Sequence, residues 1–160
     1  MEPNFLAIFV ASLVTLVIGF IWYHPAVFGT VWLRESGVSP DKPTGKQMLI
    51  TFTLTIIFGI FIGMALQFLT IHQFGALGMV GGDPSAAKPS YEAFMADYGD
   101  AFRTFRHGAL HAFMASILFA FPINAINGMF EKKSWKYIFI NSGYWVVSLT
   151  IMGGIICAWK

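Results

Sequence analysis

The chain has 160 residues, enough for one domain; 56% of them are hydrophobic and 11% charged, and the mean hydropathy is +0.66. That excess over globular norms points to lipid as the solvent. A net charge of +2 and a single cysteine, Cys157, exclude a basic nucleic-acid surface, an intrachain disulfide framework and a multi-cysteine zinc site.

Four windows carry no charged side chain: 5–23, 48–71, 107–126 and 137–159. Roughly 20 apolar residues at a rise of 1.5 Å cross a ~30 Å hydrocarbon core, and there the backbone must satisfy itself, so each window is expected to be a helix. The fold class expected is an all-α membrane protein, a single four-helix transmembrane domain over 1–160 with an outer loop at 72–106 and short interfacial amphipathic helices. Met1-Glu2-Pro3-Asn4 has no basic residue and no small-residue cleavage site closes the first window, so it reads as a retained helix and not a signal peptide.

The first helix carries Ala7, Ala11, Thr15 and Gly19 at four-residue spacing, a row that lets another helix approach closely. It stops at Trp22-Tyr23-His24-Pro25. Residues 26–36 predict a short surface helix with Val27, Phe28, Val31 and Trp32 on one face and Gly37 as its cap. Thr44 is the expected N-cap of the second helix, where Thr51, Thr55, Gly59 and Gly63 form another small-residue row. Its partner is either in this chain or in a second copy.

In the outer loop, 75–89 is expected to be irregular, followed by an amphipathic helix through Tyr91, Phe94, Met95, Tyr98, Phe102 and Phe105. A straight run from Tyr91 to Asn127 would be ~55 Å long, so a bend is expected at Gly99 or Gly108. Arg103 to Asn127 reads as the helix that organises the bundle, with Gly108, Ala112, Ser116, Ala120 and Asn124 at fours and Pro122 tolerated among them. A short connection with Ser134 as cap makes a hairpin to the fourth helix, whose row of Ser142, Thr150, Gly154 and Ala158 is interrupted by Val146.

The run Trp22-Tyr23-His24-Pro25-Ala26-Val27-Phe28-Gly29-Thr30-Val31-Trp32 resembles the N-terminal pattern Trp-Tyr-x-Pro-x-x-Phe-Gly-x-x-Trp of the bacterial membrane-protein family catalogued as domain of unknown function 1761. Asn124-Ala125-Ile126-Asn127-Gly128-Met129-Phe130-Glu131 and Ile140-Asn141-Ser142-Gly143-Tyr144-Trp145 are similar to that family too. The resemblance implies a four-helix inner-membrane protein and carries no catalytic residues.

Two polar groups form the candidate sites. The outer one holds Gln67 and His72 at the end of the second helix with Arg103, Arg106, His107 and His111 at the start of the third. Arg103, His107 and His111 are spaced by four and so share a helix face. Two imidazoles at that spacing can hold one metal ion, with His72, Asp97 or Asp100 as the third ligand. The bland reading is interfacial arginines meeting lipid phosphates and histidines bonded locally. The inner group holds Tyr23, His24, Asn124, Asn127, Asn141 and Ser142, whose expected role is hydrogen bonding between helices.

No acid or base lies deep inside a span, and no HExxH, GxSxG or P-loop motif is present. Cys157 reads as a small apolar filler. The expected function is therefore a non-enzymatic inner-membrane helical bundle acting as a homo-oligomer or accessory subunit of a membrane complex, with no cofactor expected. The alternatives are a small oligomeric channel or transporter, and a metal-dependent membrane enzyme using His107 and His111. Partners are the lipid bilayer and other membrane proteins, not nucleic acid. Arg34, Lys42, Lys46, Lys132, Lys133 and Lys136 on one side against Lys88, Arg103, Arg106 and Lys160 on the other place both termini in the periplasm.

Overall fold

The computed structural model describes residues 2–39, 41 and 43–160; Lys42, one of the basic residues counted for orientation, lies outside them. The described residues are helices and connections with no strand. Four helices are long and apolar enough to cross a membrane: α1 (Phe5–Trp22), α3 (Gly45–Thr70), the continuous run of α6 (Phe105–Ala115) and α7 (Phe121–Phe130), and α8 (Trp135–Ala158). Between them lie α2 (Thr30–Ser36), α4 (Gln73–Met79) and α5 (Pro89–Tyr98). Successive spans alternate in direction. One end of the bundle, the terminal face, therefore holds both termini and the 71–104 segment; the other, the hairpin face, holds α2 and the α7–α8 turn.

The helix ends follow from local chemistry. Thr44 and Gln47 form a reciprocal capping box at α3, Ser134 accepts from the Tyr137 N–H at α8, and Gly37 ends α2 in the left-handed conformation, φ +70°. Pro25 opens a wide π turn (Pro25–Gly29) that feeds α2, so the surface helix expected over 26–36 is in two pieces. Ser116–Ala120 is a second π turn, where the Phe121 N–H reaches back to the Ser116 carbonyl. The extra residue sits just before Pro122, whose ring an ordinary helical turn would crowd against an earlier carbonyl.

Close packing uses the small residues. A methyl added at Gly59 would lie 3.0 Å from Ser12 Cβ, and one at Gly63 would lie 2.9 Å from Ile8, so the glycine pair of α3 is engaged by α1 of the same chain. Gly108 of α6 rests directly on the Gly153 carbonyl and Cys157 of α8, and Gly154 on the Phe105 ring. Gly108 is thus a contact point, and of the two expected bend positions it is Gly99, the C-cap of α5, that falls at the break. The break falls at residues 99–104, where Phe102 takes φ +62°.

The organising helix is α8, not the Arg103–Asn127 run: half of the apolar window of α8 is buried, against 17% of that of α6–α7. It is also the least apolar of the four spans. The buried half of α8 can carry Ser142, Tyr144 and Ser148, which a lipid-facing surface could not do at the same cost.

Candidate functional site

Three histidines converge at the terminal face. His107 and His111 stand one turn apart at the start of α6, and Thr104 positions that start by accepting from the His107 N–H. His72 comes from the joint between α3 and α4, where Ile71 leaves the helix in an extended conformation. One ligating nitrogen from each ring lies within 4.8 Å of the other two, and the His72 and His107 Nε2 atoms are 2.9 Å apart. The ring centroids are separated by 4.5 to 4.9 Å. Nitrogens bound tetrahedrally to zinc at ~2.0–2.1 Å stand ~3.3 Å from one another. The His72–His107 pair is near that spacing, and a His111 nitrogen lies within 4.8 Å of both. In the metal-free arrangement one of the two facing nitrogens must carry a proton and donate to the other.

Of the third ligands weighed from sequence, His72 is the one in place. Asp100 instead pairs with Lys160 at 3.0 Å on the surface. Phe102 stacks on His107 with centroids 5.0 Å apart, and its left-handed backbone is a strained state for a bulky residue.

Beside His72 lies an open apolar pocket of about 220 Å³, lined also by Gln73, Phe94, Tyr98, Ala101 and Phe102. Sequence reasoning passed over Gln73. Its Nε2 donates to the carbonyls of Tyr98 (2.7 Å) and Ala101 (3.0 Å), clasping the end of α5 over the site. Both partners are acceptors, which fixes the amide orientation and leaves Oε1 toward other neighbours. The residue is 4% exposed, and Oε1 has no hydrogen-bond partner among the described residues. Nothing in the local sequence marks this, since the clasped carbonyls are 25 and 28 residues away.

The remaining outer residues do other work. Arg103 precedes the helix and does not share the histidine face; its guanidinium donates to the carbonyls of Cys157 and Trp159, both at 2.8 Å, and so caps α8. Arg103→Ala is expected to fray the last turn of α8 at a cost of ~2 kcal/mol, read as faster amide exchange at 155–159. Gln67 accepts from the Asn4 N–H and ties down the start of α1. Arg106 lies exposed at the surface. Cys157 is fully buried, and its thiol donates to Thr70 O at 3.3 Å, in keeping with a filler role.

At the hairpin face the expected polar group is rearranged around one amide. Asn141 Oδ1 accepts from the Tyr23 hydroxyl (2.9 Å) and the Trp32 indole N–H (3.0 Å), joining α1, α2 and α8. Trp22 donates to the Ile140 carbonyl alongside. Asn141→Leu strands both donors, and a loss of ~2–3 kcal/mol in a detergent unfolding titration is expected. The other members of the group stay apart. Asn124 bonds its own helix at Ala120 O, Asn127 is exposed, and His24 caps the π turn by accepting from the Ala26 N–H. Ser142 is buried with no hydrogen-bond partner for its hydroxyl among the described residues. Glu35 on α2 is held below the usual carboxylate range by the Ser134 hydroxyl and then by Arg34.

A groove of about 650 Å³ opens sideways between α1 and α3 where they diverge beyond the Gly59–Ser12 contact, with Thr15, Gly19, Thr55 and Tyr144 among its walls. It is apolar and faces the depth that lipid chains occupy. It brings no ligating set together.

The family model of DUF1761, a protein family of unknown function, matches residues 6–157, and the chain belongs to that family. No curated protein and no solved structure matches it.

Proposed function

We propose that this four-span member of DUF1761 binds a divalent transition metal, zinc foremost, through His72, His107 and His111, and acts as a metal-dependent membrane enzyme. The observation that supports the reading is the convergence of three imidazole nitrogens within 4.8 Å from two separate helical segments. Three protein ligands leave one tetrahedral position for water or substrate, the pattern of catalytic rather than structural zinc sites. Zinc in such a site acidifies bound water to a pKa near ~7 and supplies a nucleophile or a Lewis acid at neutral pH.

The alternative of a non-enzymatic bundle acting as a homo-oligomer or accessory subunit has less to support it. Its strongest sequence motif, the Gly59–Gly63 pair, is engaged by α1. For orientation, the excess of Arg34, Lys46, Lys132, Lys133 and Lys136 at the hairpin face over Lys88, Arg103, Arg106 and Lys160 at the other supports a cytoplasmic hairpin face. The histidines then face outward, toward the periplasm if the host membrane is a bacterial inner membrane.

The test is metal stoichiometry. Protein purified in mild detergent, stripped with chelator and dialysed against zinc should retain one equivalent per chain. A preparation that retains none, with zinc, cobalt, copper, iron and manganese each tried, overturns the proposal.

A further inference from the structure

Resting on the metal reading above, we infer that the open coordination position at the three histidines is taken by an anionic oxygen of a membrane lipid, a phosphate monoester headgroup in chemical class.

Two independent observations carry this. The first is charge. His72, His107 and His111 ligate as neutral imidazoles, and among the described residues no carboxylate or thiol joins the cluster. Asp100, an acid weighed as a ligand from sequence, is paired with Lys160. A divalent ion held by three neutral ligands keeps its full charge, the largest local charge at that end of the bundle. Close to hydrocarbon such a charge is costly without an anion beside it, so the open position favours an anionic oxygen over a neutral one. A phosphate monoester carries about −1.5 to −2 at neutral pH and offsets a divalent ion, which the single charge of a phosphodiester does not.

The second is depth. The third span starts at Phe105, and His107 and His111 stand two and six residues into it, the latter ~9 Å along the helix axis. Leu110, Phe113 and Met114 on the neighbouring turns are large, apolar and exposed, so lipid already reaches that level. Tyr98, Phe102, Phe105 and Trp159 are exposed at the same end, an aromatic belt of the kind that sits among headgroups, and Phe102 is the ring stacked on His107. The imidazoles therefore stand at headgroup level. His72 is exposed, which leaves the cluster open to a ligand delivered along the membrane.

The experiment uses cobalt(II) in place of zinc, because its visible ligand-field bands respond to the fourth ligand. Cobalt-loaded protein is reconstituted in vesicles of phosphatidylcholine alone and of phosphatidylcholine with phosphatidic acid. Phosphatidic acid should shift the bands saturably; phosphatidylcholine, whose phosphate is a diester beside a choline cation, should not. Inorganic phosphate added to the phosphatidylcholine vesicles supplies the same group without the membrane anchor, and it should reach half of that shift only in about the millimolar range or above, because nothing concentrates it at the interface. Arg106→Ala should keep the phosphatidic acid shift, since the ion and not the arginine holds the headgroup.

Saturation by inorganic phosphate in about the micromolar range, whatever phosphatidic acid does, would make this a site for a soluble anion and overturn the lipid assignment. A shift lost in Arg106→Ala with cobalt still bound would place the headgroup on the arginine and overturn it as well. Cobalt retained with bands that answer neither anion would end the inference and spare the metal reading. A protein that retains neither cobalt nor zinc would sink the metal reading and this inference with it.

Discussion

Gly108→Ala should destabilise the bundle strongly, by ~3 kcal/mol in a detergent unfolding titration. The new Cβ would sit well inside contact distance of the Gly153 carbonyl and of Cys157 Cβ. Both obstacles belong to the α8 backbone or lie one bond from it, so no flexible side-chain tip can swing away; the two helices must move apart. Gly153 meets Ala112 and the Gly108 carbonyl in the same seam, which leaves no slack one turn further on. Gly45→Ala is the control, because nothing lies within 4 Å of a Cβ there, and it should be silent. The Gly108 change should also weaken metal retention, because His107 is its neighbour and His111 is one turn on.

Removal of any one of His72, His107 or His111 as alanine should lower zinc affinity at least ~100-fold, since two imidazoles and water make a far poorer site than three. Zinc binding requires neutral imidazoles, so retention should fall steeply as pH drops below ~6.5, the ordinary histidine range, and recover when pH is raised. Isothermal titration across that range checks the slope. Affinity that is flat with pH, or a single alanine variant that keeps wild-type affinity, would show that the imidazole cluster is a hydrogen-bonded group and not a ligand set. Arg106→Ala is the matched surface change and should leave affinity where it was.

The four spans, the caps at Thr44 and Ser134 and the stop at Gly37 were legible because each depends on a few neighbouring residues. The pairing of His107 with His111 was equally local. His72 could be named as a third ligand because it begins the same outer segment, but its arrival depends on how α3 and α6 pack, which hydropathy does not encode. Arg103 was misassigned because four-residue spacing implies a shared face only inside a helix, and Thr104 starts the helix one residue later. The central place of α8 does not show in the polar ends of the spans, which are richest at the third. A readable signal existed in the lower hydropathy of α8, which marks a helix shielded from lipid by its neighbours. Gln73 left no trace, because a glutamine with two remote carbonyl partners looks like any other polar residue in a loop.

The burial of α8 also sets the order in which the protein can come together. Chains are delivered to the membrane from the N-terminus, and α8 is the last of the four spans. The pairing of α1 with α3 through Gly59 and Gly63 is available early, but α6 finds its main partner only when α8 has entered. Until then only the smaller direct contact of α3 with α6 holds His107 and His111 near His72. The three imidazoles therefore come into register at the close of assembly, and a bound ion would be the mark of a finished bundle rather than the seed of one.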